Sequence, residues 1–270
     1  MGRGTVQDHD CSEGRLILSL KQIAMDSKFK KPCRLCGLSK PLVESHILPE
    51  FVYRPTYDST HTAVRIDLDK KSVRKQQTGF SEYLLCEDCE SIFSRWEVYF
   101  SKIWFKPKSR LRPDYLDDRL VEIPGIDYIK FKLFHLSIIW RSGVSSRTEF
   151  RSVNLGAQER IIRKHLLASD PGEPDKYAMF CIALRDKDTR KFQDSFIRAP
   201  EGGHFRGHHV YRIIFGGVIW NYWISGHKDK MKTETNCIDR KGILRLAVQD
   251  WTDSILVKDL AKHFQMIKKG

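Results

Sequence analysis

Four cysteines constrain this chain more than anything else in it. Cys33-Arg-Leu-Cys36 and Cys86-Glu-Asp-Cys89 are two pairs with the same two-residue gap, set far apart in sequence. Such a gap lets both sulfurs of a pair turn onto one ion, and two such knuckles complete a tetrahedral shell of thiolates with Zn–S about 2.3 Å. Gly37 directly follows the first knuckle and tolerates the positive φ of a chain turning back on itself. Four unrelated buried thiols, or a redox Cys-x-x-Cys, would leave the second pair unexplained. The chain has 7 cysteines, an odd number, and its first residues, MGRGTVQDHD, have no apolar core. A secretory leader and a disulfide framework are therefore not expected. Cys11, Cys181 and Cys237 read as ordinary small residues, with Cys181 in YAMFCIAL a core position. The expectation is a structural Zn²⁺ on Cys33, Cys36, Cys86 and Cys89.

The flanking pattern suggests how the knuckles are mounted. Residues 14–28 have helical apolar spacing. Leu42, Val43 and Ile47 suggest a short strand, and Pro49 opens a helical turn. Residues 62–75 alternate around Val64, Ile66 and Leu68, as a hairpin strand with basic flanks would. The second knuckle starts a helix over 87–105. Its apolar face runs through Phe93, Trp96 and Phe100, and Glu90, Ser94, Glu97 and Ser101 are assigned to the opposite stripe. Pro107 and Pro113 mark a linker. Beyond it the pattern predicts a strand at 118–123, helices at 126–142 and 156–168, strands at 177–185, 191–198, 208–216, 218–225 and 242–249, and a closing helix at 254–267. This is α+β, with a mainly antiparallel sheet in the second part. The expected division is a zinc domain over 13–110 and an accessory domain over 111–270, the latter for substrate positioning, oligomerisation or response to a partner.

The apolar runs stop well short of the roughly 18 residues that a membrane span needs, so a cytoplasmic protein is expected. Its formal net charge is +13, and the excess of Lys and Arg is spread over both parts. A polyanion such as nucleic acid is the simplest partner for that balance, although a basic protein need not bind one. Candidate phosphate contacts are Arg65, Lys71, Arg74 and Lys75 around the hairpin, and Arg206 in the Gly-rich stretch GGHFRGHH, which reads as a turn. Trp220, Tyr222 and Trp223 could stack on bases, but in a strand VIWNYWI they read mostly as core.

CRLCG, then SHILPEF, then a basic hairpin, then LLCEDCESIFSRWE leading into a helix resembles the zinc-containing HNH endonucleases of the ββα-metal type. More narrowly it is similar to bacterial HNH-like proteins with a Ser-His-Ile-x-Pro segment. The resemblance covers about residues 30–105; LFHLSIIWRSGVS at 133–145 is a weaker echo of the same group. It implies an N-terminal ββα-metal domain, DNA as substrate with RNA possible in principle, and a role like that of defence or mobile-element nucleases. It also implies that His46 is the general base that takes a proton from the attacking water. A divalent ion, Mg²⁺ or Mn²⁺, would stabilise the charge on phosphorus.

The chain departs from the family pattern at the metal ligands. Ser45 stands where the family has Asp, and a neutral hydroxyl is a poor ligand for a hard cation. Glu90 stands in place of the late His or Asn and is a good oxygen ligand. The middle Asn is missing, since the first Asn of the chain is Asn154; His61, near Asp58, is a loose substitute. Glu97, seven residues after Glu90, shares its helical face and completes a candidate acidic pair for Mg²⁺ or Mn²⁺. The alternative reading is a zinc-ribbon-like module that binds nucleic acid or a partner without cutting. A third is an RNase effector, distinguished by a 2′-OH contact.

Overall fold

A computed structural model of the chain describes residues 31–67, 72–106, 114–205, 208–224, 237–255 and 257–258. The expected helix at 14–28 and the Pro107–Pro113 linker lie outside the described residues, as do Cys11, Lys71, Arg206 and most of the closing helix.

The first elements are small and built around the knuckles. β1 (Leu42–His46) pairs antiparallel with β4 (Ser81–Cys86), in a register that sets Ser45 opposite Glu82 and His46 opposite Ser81. Between them come the short helix α1 (Glu50–Tyr53), behind Pro49, and a second antiparallel pair, β2 (Ala63–Asp67) with β3 (Ser72–Gln76). β4 runs directly into α2 (Glu87–Trp104), whose first turn carries Glu87, Asp88 and Glu90, where the helix dipole favours acids. The apolar face of α2 is buried as the periodicity requires, through Phe93, Trp96 and Phe100.

A seven-stranded sheet forms the rest. Its strands are β5 (Asp114–Tyr115), β6 (Leu120–Ile123), β7 (Met179–Arg185), β8 (Arg198–Phe205), β9 (His208–Phe215), β10 (Val218–Trp223) and β11 (Leu244–Asp250), in the spatial order β5-β6-β11-β7-β10-β9-β8. All neighbours are antiparallel except β11 and β7. The fold is thus mixed α+β with antiparallel-rich sheets.

The strand expected at 191–198 is a correction. That segment holds only an isolated bridge, Arg185 to Phe192, and the strand comes later as β8. Gly202 and Gly203, read as part of a turn, lie within it. Glycine is a poor strand former, but β8 is the edge strand and Gly202 sits where a Cβ would come within 2.7 Å of the Ser152 carbonyl oxygen.

α3 (Tyr128–Val144) packs on both α2 and the sheet and is buried on nearly every side from Phe131 to Ser142. A helix covered all round belongs in the middle of a protein. Phe134 stacks on Phe100 of α2 at 4.0 Å between centroids, while the His135 ring lies 4.3 Å from Trp220 of β10. One hydrophobic core consequently runs from Cys33 through α2 and α3 to Leu246. α4 (Ala157–Ala168) packs on α3, and its Arg163 donates to the carbonyl of Leu35 in the first knuckle.

Candidate functional site

The two knuckles meet. Cys33, Cys36, Cys86 and Cys89 bring their Sγ atoms within 4.8 Å of one another, three of the four side chains buried. The first knuckle closes through the Gly37 amide donating to the Cys33 carbonyl, with Gly37 at φ 80°, and the Arg34 amide ties it to the Leu84 carbonyl of β4. Burial pushes the Cys86 and Cys89 thiols up. At Cys33 it is outweighed by backbone amides of Cys36, Cys86 and Leu35, which bring that thiol down to about 7. Four sulfurs so close favour one shared cation over four separate thiols, and the set fits a tetrahedral metal ion.

His46 ends β1. Its side chain is 38% exposed, and its Nε2 lies 3.5 Å from Oε2 of Glu50, one helical turn further on. Glu50 is itself held: the Gly79 amide donates to it at 2.9 Å, and the Tyr57 hydroxyl donates to its other oxygen. Glu50 was not among the candidates from sequence. The available signal was its i, i+4 spacing from His46 across Pro49.

Glu90 and Glu97 of α2 face inward, not along a solvated stripe, while Glu87 and Asp88 stay exposed. Positions 90, 93, 97 and 100 share one face, so Glu90 and Glu97 accompany Phe93 and Phe100 into the protein. Ser45, completely buried on β1, donates to Glu90 at 2.7 Å. Burial raises the Glu90 carboxyl, opposed by the nearby Arg141 guanidinium and the Ser45 hydroxyl.

Arg141 of α3 is fully buried. It donates from Nη2 to Glu97 at 2.7 Å and from Nη1 to the carbonyl of His46 at 2.6 Å, with its guanidinium 5.3 Å from the centre of the Phe93 ring. It too was not identified from sequence. A lone cation in the apolar run LSIIWR does call for an anionic partner, but periodicity cannot say which. As placed, Glu90 and Glu97 do not form an open two-carboxylate seat for Mg²⁺ or Mn²⁺, because each already has a partner.

A basic groove reaches the strand partner of His46. It is lined by Arg65, Arg74, Lys75, Phe80, Ser81 and Arg147, among others, and Ser81 is the strand partner of His46. Arg65 and Arg74 face each other directly across the hairpin, a like-charge pairing that costs stability unless an anion offsets it. Arg65 and Arg147 lie 4.9 and 5.0 Å from the centre of the Phe80 ring, and both donate to Glu149. His61 adopts φ 56° and its ring lies tilted against Tyr57, the Glu50 donor, at 4.2 Å between centroids, in a turn where Asp58 accepts from Thr60 and Thr62. Trp220 and Tyr222 are buried core and Trp223 is partly buried.

No protein-family model, no curated protein and no solved structure matches the chain. No helix among the described residues is long and apolar enough to cross a membrane.

Proposed function

We propose that the chain is an HNH-like nuclease that hydrolyses phosphodiester bonds in DNA, with β1, β4 and α2 as its ββα-metal unit and Zn²⁺ on the four cysteines. The observation that carries this reading is a half-exposed imidazole, His46, whose strand partner Ser81 lines a groove that also holds four cations. A nucleic-acid backbone in that groove has its charge offset by Arg65, Arg74, Lys75 and Arg147. Glu50, 3.5 Å from Nε2, orients the His46 ring. His46 takes a proton from water as the water oxygen bonds to phosphorus; the P–O bond to the leaving sugar breaks, and that oxygen is protonated from solvent. A cellular role in defence against foreign DNA, or in a mobile element, follows only from the resemblance.

The second reading, a module that binds nucleic acid without cutting, is favoured by the engagement of Glu97 with Arg141 and of Glu90 with Ser45. The deciding experiment is plasmid nicking by the zinc-loaded chain, alone and with Mg²⁺ or Mn²⁺, beside His46→Ala. Loss of cutting by about 10²-fold or more in His46→Ala is the expected result for a general base. An intact plasmid under every condition, with oligonucleotide binding retained, selects the second reading. Running RNA in parallel separates an RNase from a DNase.

A further inference from the structure

We propose that Arg141 is the resident cation of the Glu90–Glu97 site: its guanidinium takes the place that a divalent ion would need and fixes the strand end carrying His46. This goes beyond the proposed hydrolysis and holds whether or not the chain cuts.

The argument starts from α2. Seven residues along a helix separate Glu90 and Glu97 by about 10.5 Å of axis. Both carboxylates nonetheless reach the same strand end, Glu90 through Ser45 and Glu97 through the guanidinium that also holds the His46 carbonyl. The hydrogen bonds of Arg141 join Glu97 to that strand end. Arg141 spans Glu97 at 2.7 Å and the His46 carbonyl at 2.6 Å, and its remaining contacts, Nε to the Ser137 carbonyl and Nη2 to the Ser137 hydroxyl, lie within its own helix. The Ser45 hydroxyl occupies an oxygen of Glu90 at 2.7 Å.

The guanidinium cannot step aside. It is fully buried, and its charge lies over the Phe93 ring at 5.3 Å. Arginine is not deprotonated in proteins, so a second, divalent charge entering the same pocket would meet close repulsion with little water to screen it. Because Arg141 comes from α3, the contact also pins β1 to the centre of the molecule. Arg141 is thus a positioning residue for His46, acting through its backbone carbonyl.

The test is Mn²⁺ binding followed by electron paramagnetic resonance on the zinc-loaded full chain, which needs no catalytic activity. The wild type is expected to bind Mn²⁺ only weakly, with no change in Glu90→Gln. Arg141→Met keeps an unbranched stem over Phe93 and removes the charge; it should gain one Mn²⁺ per chain, about ten-fold tighter or more than the wild type, and Glu90→Gln in that background should abolish the gain. Arg141→Lys retains a charge and should stay without the site. One Mn²⁺ per wild-type chain that Glu90→Gln removes would overturn the proposal, as would a folded Arg141→Met that gains no Mn²⁺. If Arg141→Met does not fold, the wild-type titration with and without Glu90→Gln decides: loss of a stoichiometric site refutes the proposal, and weak binding insensitive to Glu90 supports it.

Discussion

Lys132 carries a second charge into the middle of α3, and its surroundings differ from those of Arg141. Its Nζ donates to the carbonyls of Glu173, Pro174 and Lys176 at 2.8, 3.0 and 2.5 Å and to the Tyr128 hydroxyl at 3.4 Å, with no carboxylate among the described residues in hydrogen-bond contact. Burial pushes this ammonium down to about 7, against a weaker opposing pull from Cys237 and Asp175. The folded chain therefore releases the proton near pH 7, while the unfolded chain keeps it until the ordinary lysine range. Between those limits the unfolded state binds more protons, so stability rises with pH; below about 7 both states are protonated and the contribution is flat. Urea unfolding of the wild type and Lys132→Met across this range should show the difference moving in favour of the wild type as pH rises, by at most about 1.4 kcal/mol per pH unit. A difference independent of pH would contradict the assignment. At this scale the sequence was only partly legible. The four thiols were evident because their spacing is itself the signal. Ser45 and Arg141 acquire their roles from neighbours distant in the chain, and no local pattern marks such partners, whereas Glu50 meets His46 at a local i, i+4 spacing.

Among the elements, helices and the strands of the sheet centre were the most legible. α2 begins at the second knuckle and ends at Trp104, close to the expected span, because acids in its first turn and a strong apolar period agree. β8 was misplaced because its residues argue against a strand. Its bond to the sheet is made through β9 alone, and Gly202 is required by the close approach of Ser152 and of the Tyr211 ring. Gly202→Val should consequently lower the urea midpoint by an amount equivalent to about 1–3 kcal/mol, despite the higher intrinsic strand preference of valine. A stabilised variant would mean that the edge has room to relax. Glu90 and Glu97 on α2 were assigned to the wrong stripe for a related reason. α2 packs against β1 on one side and α3 on another, so a position outside the main apolar face is still covered.

For the whole molecule, the continuous core makes a specific demand. Phe100 lies within ring contact of Phe134 and Phe131 of α3, and of Phe215 and Trp220 of the sheet. A metal ion held by the four cysteines would stabilise the strand pair that leads into α2, and α2 is packed into the core. Withdrawing the metal with a strong chelator should therefore lower the midpoint of a single unfolding transition followed by calorimetry. Two separate transitions, only one of them zinc-dependent, would show that the zinc unit and the sheet fold independently.

The sequence by itself determined the thiol set, the α+β class and most element positions, because each depends on spacing and periodicity within a short window. The positive balance and the candidate base His46 were also readable locally. What only the tertiary structure decided is which charges meet. The register of β1 on β4 pairs His46 with Ser81 of the basic groove, and the packing of α3 on α2 delivers Arg141 to Glu97. Such pairings are set by contacts between residues far apart in the chain, where burial makes an unpaired charge costly. They determine whether the pair of acids can receive a metal ion at all.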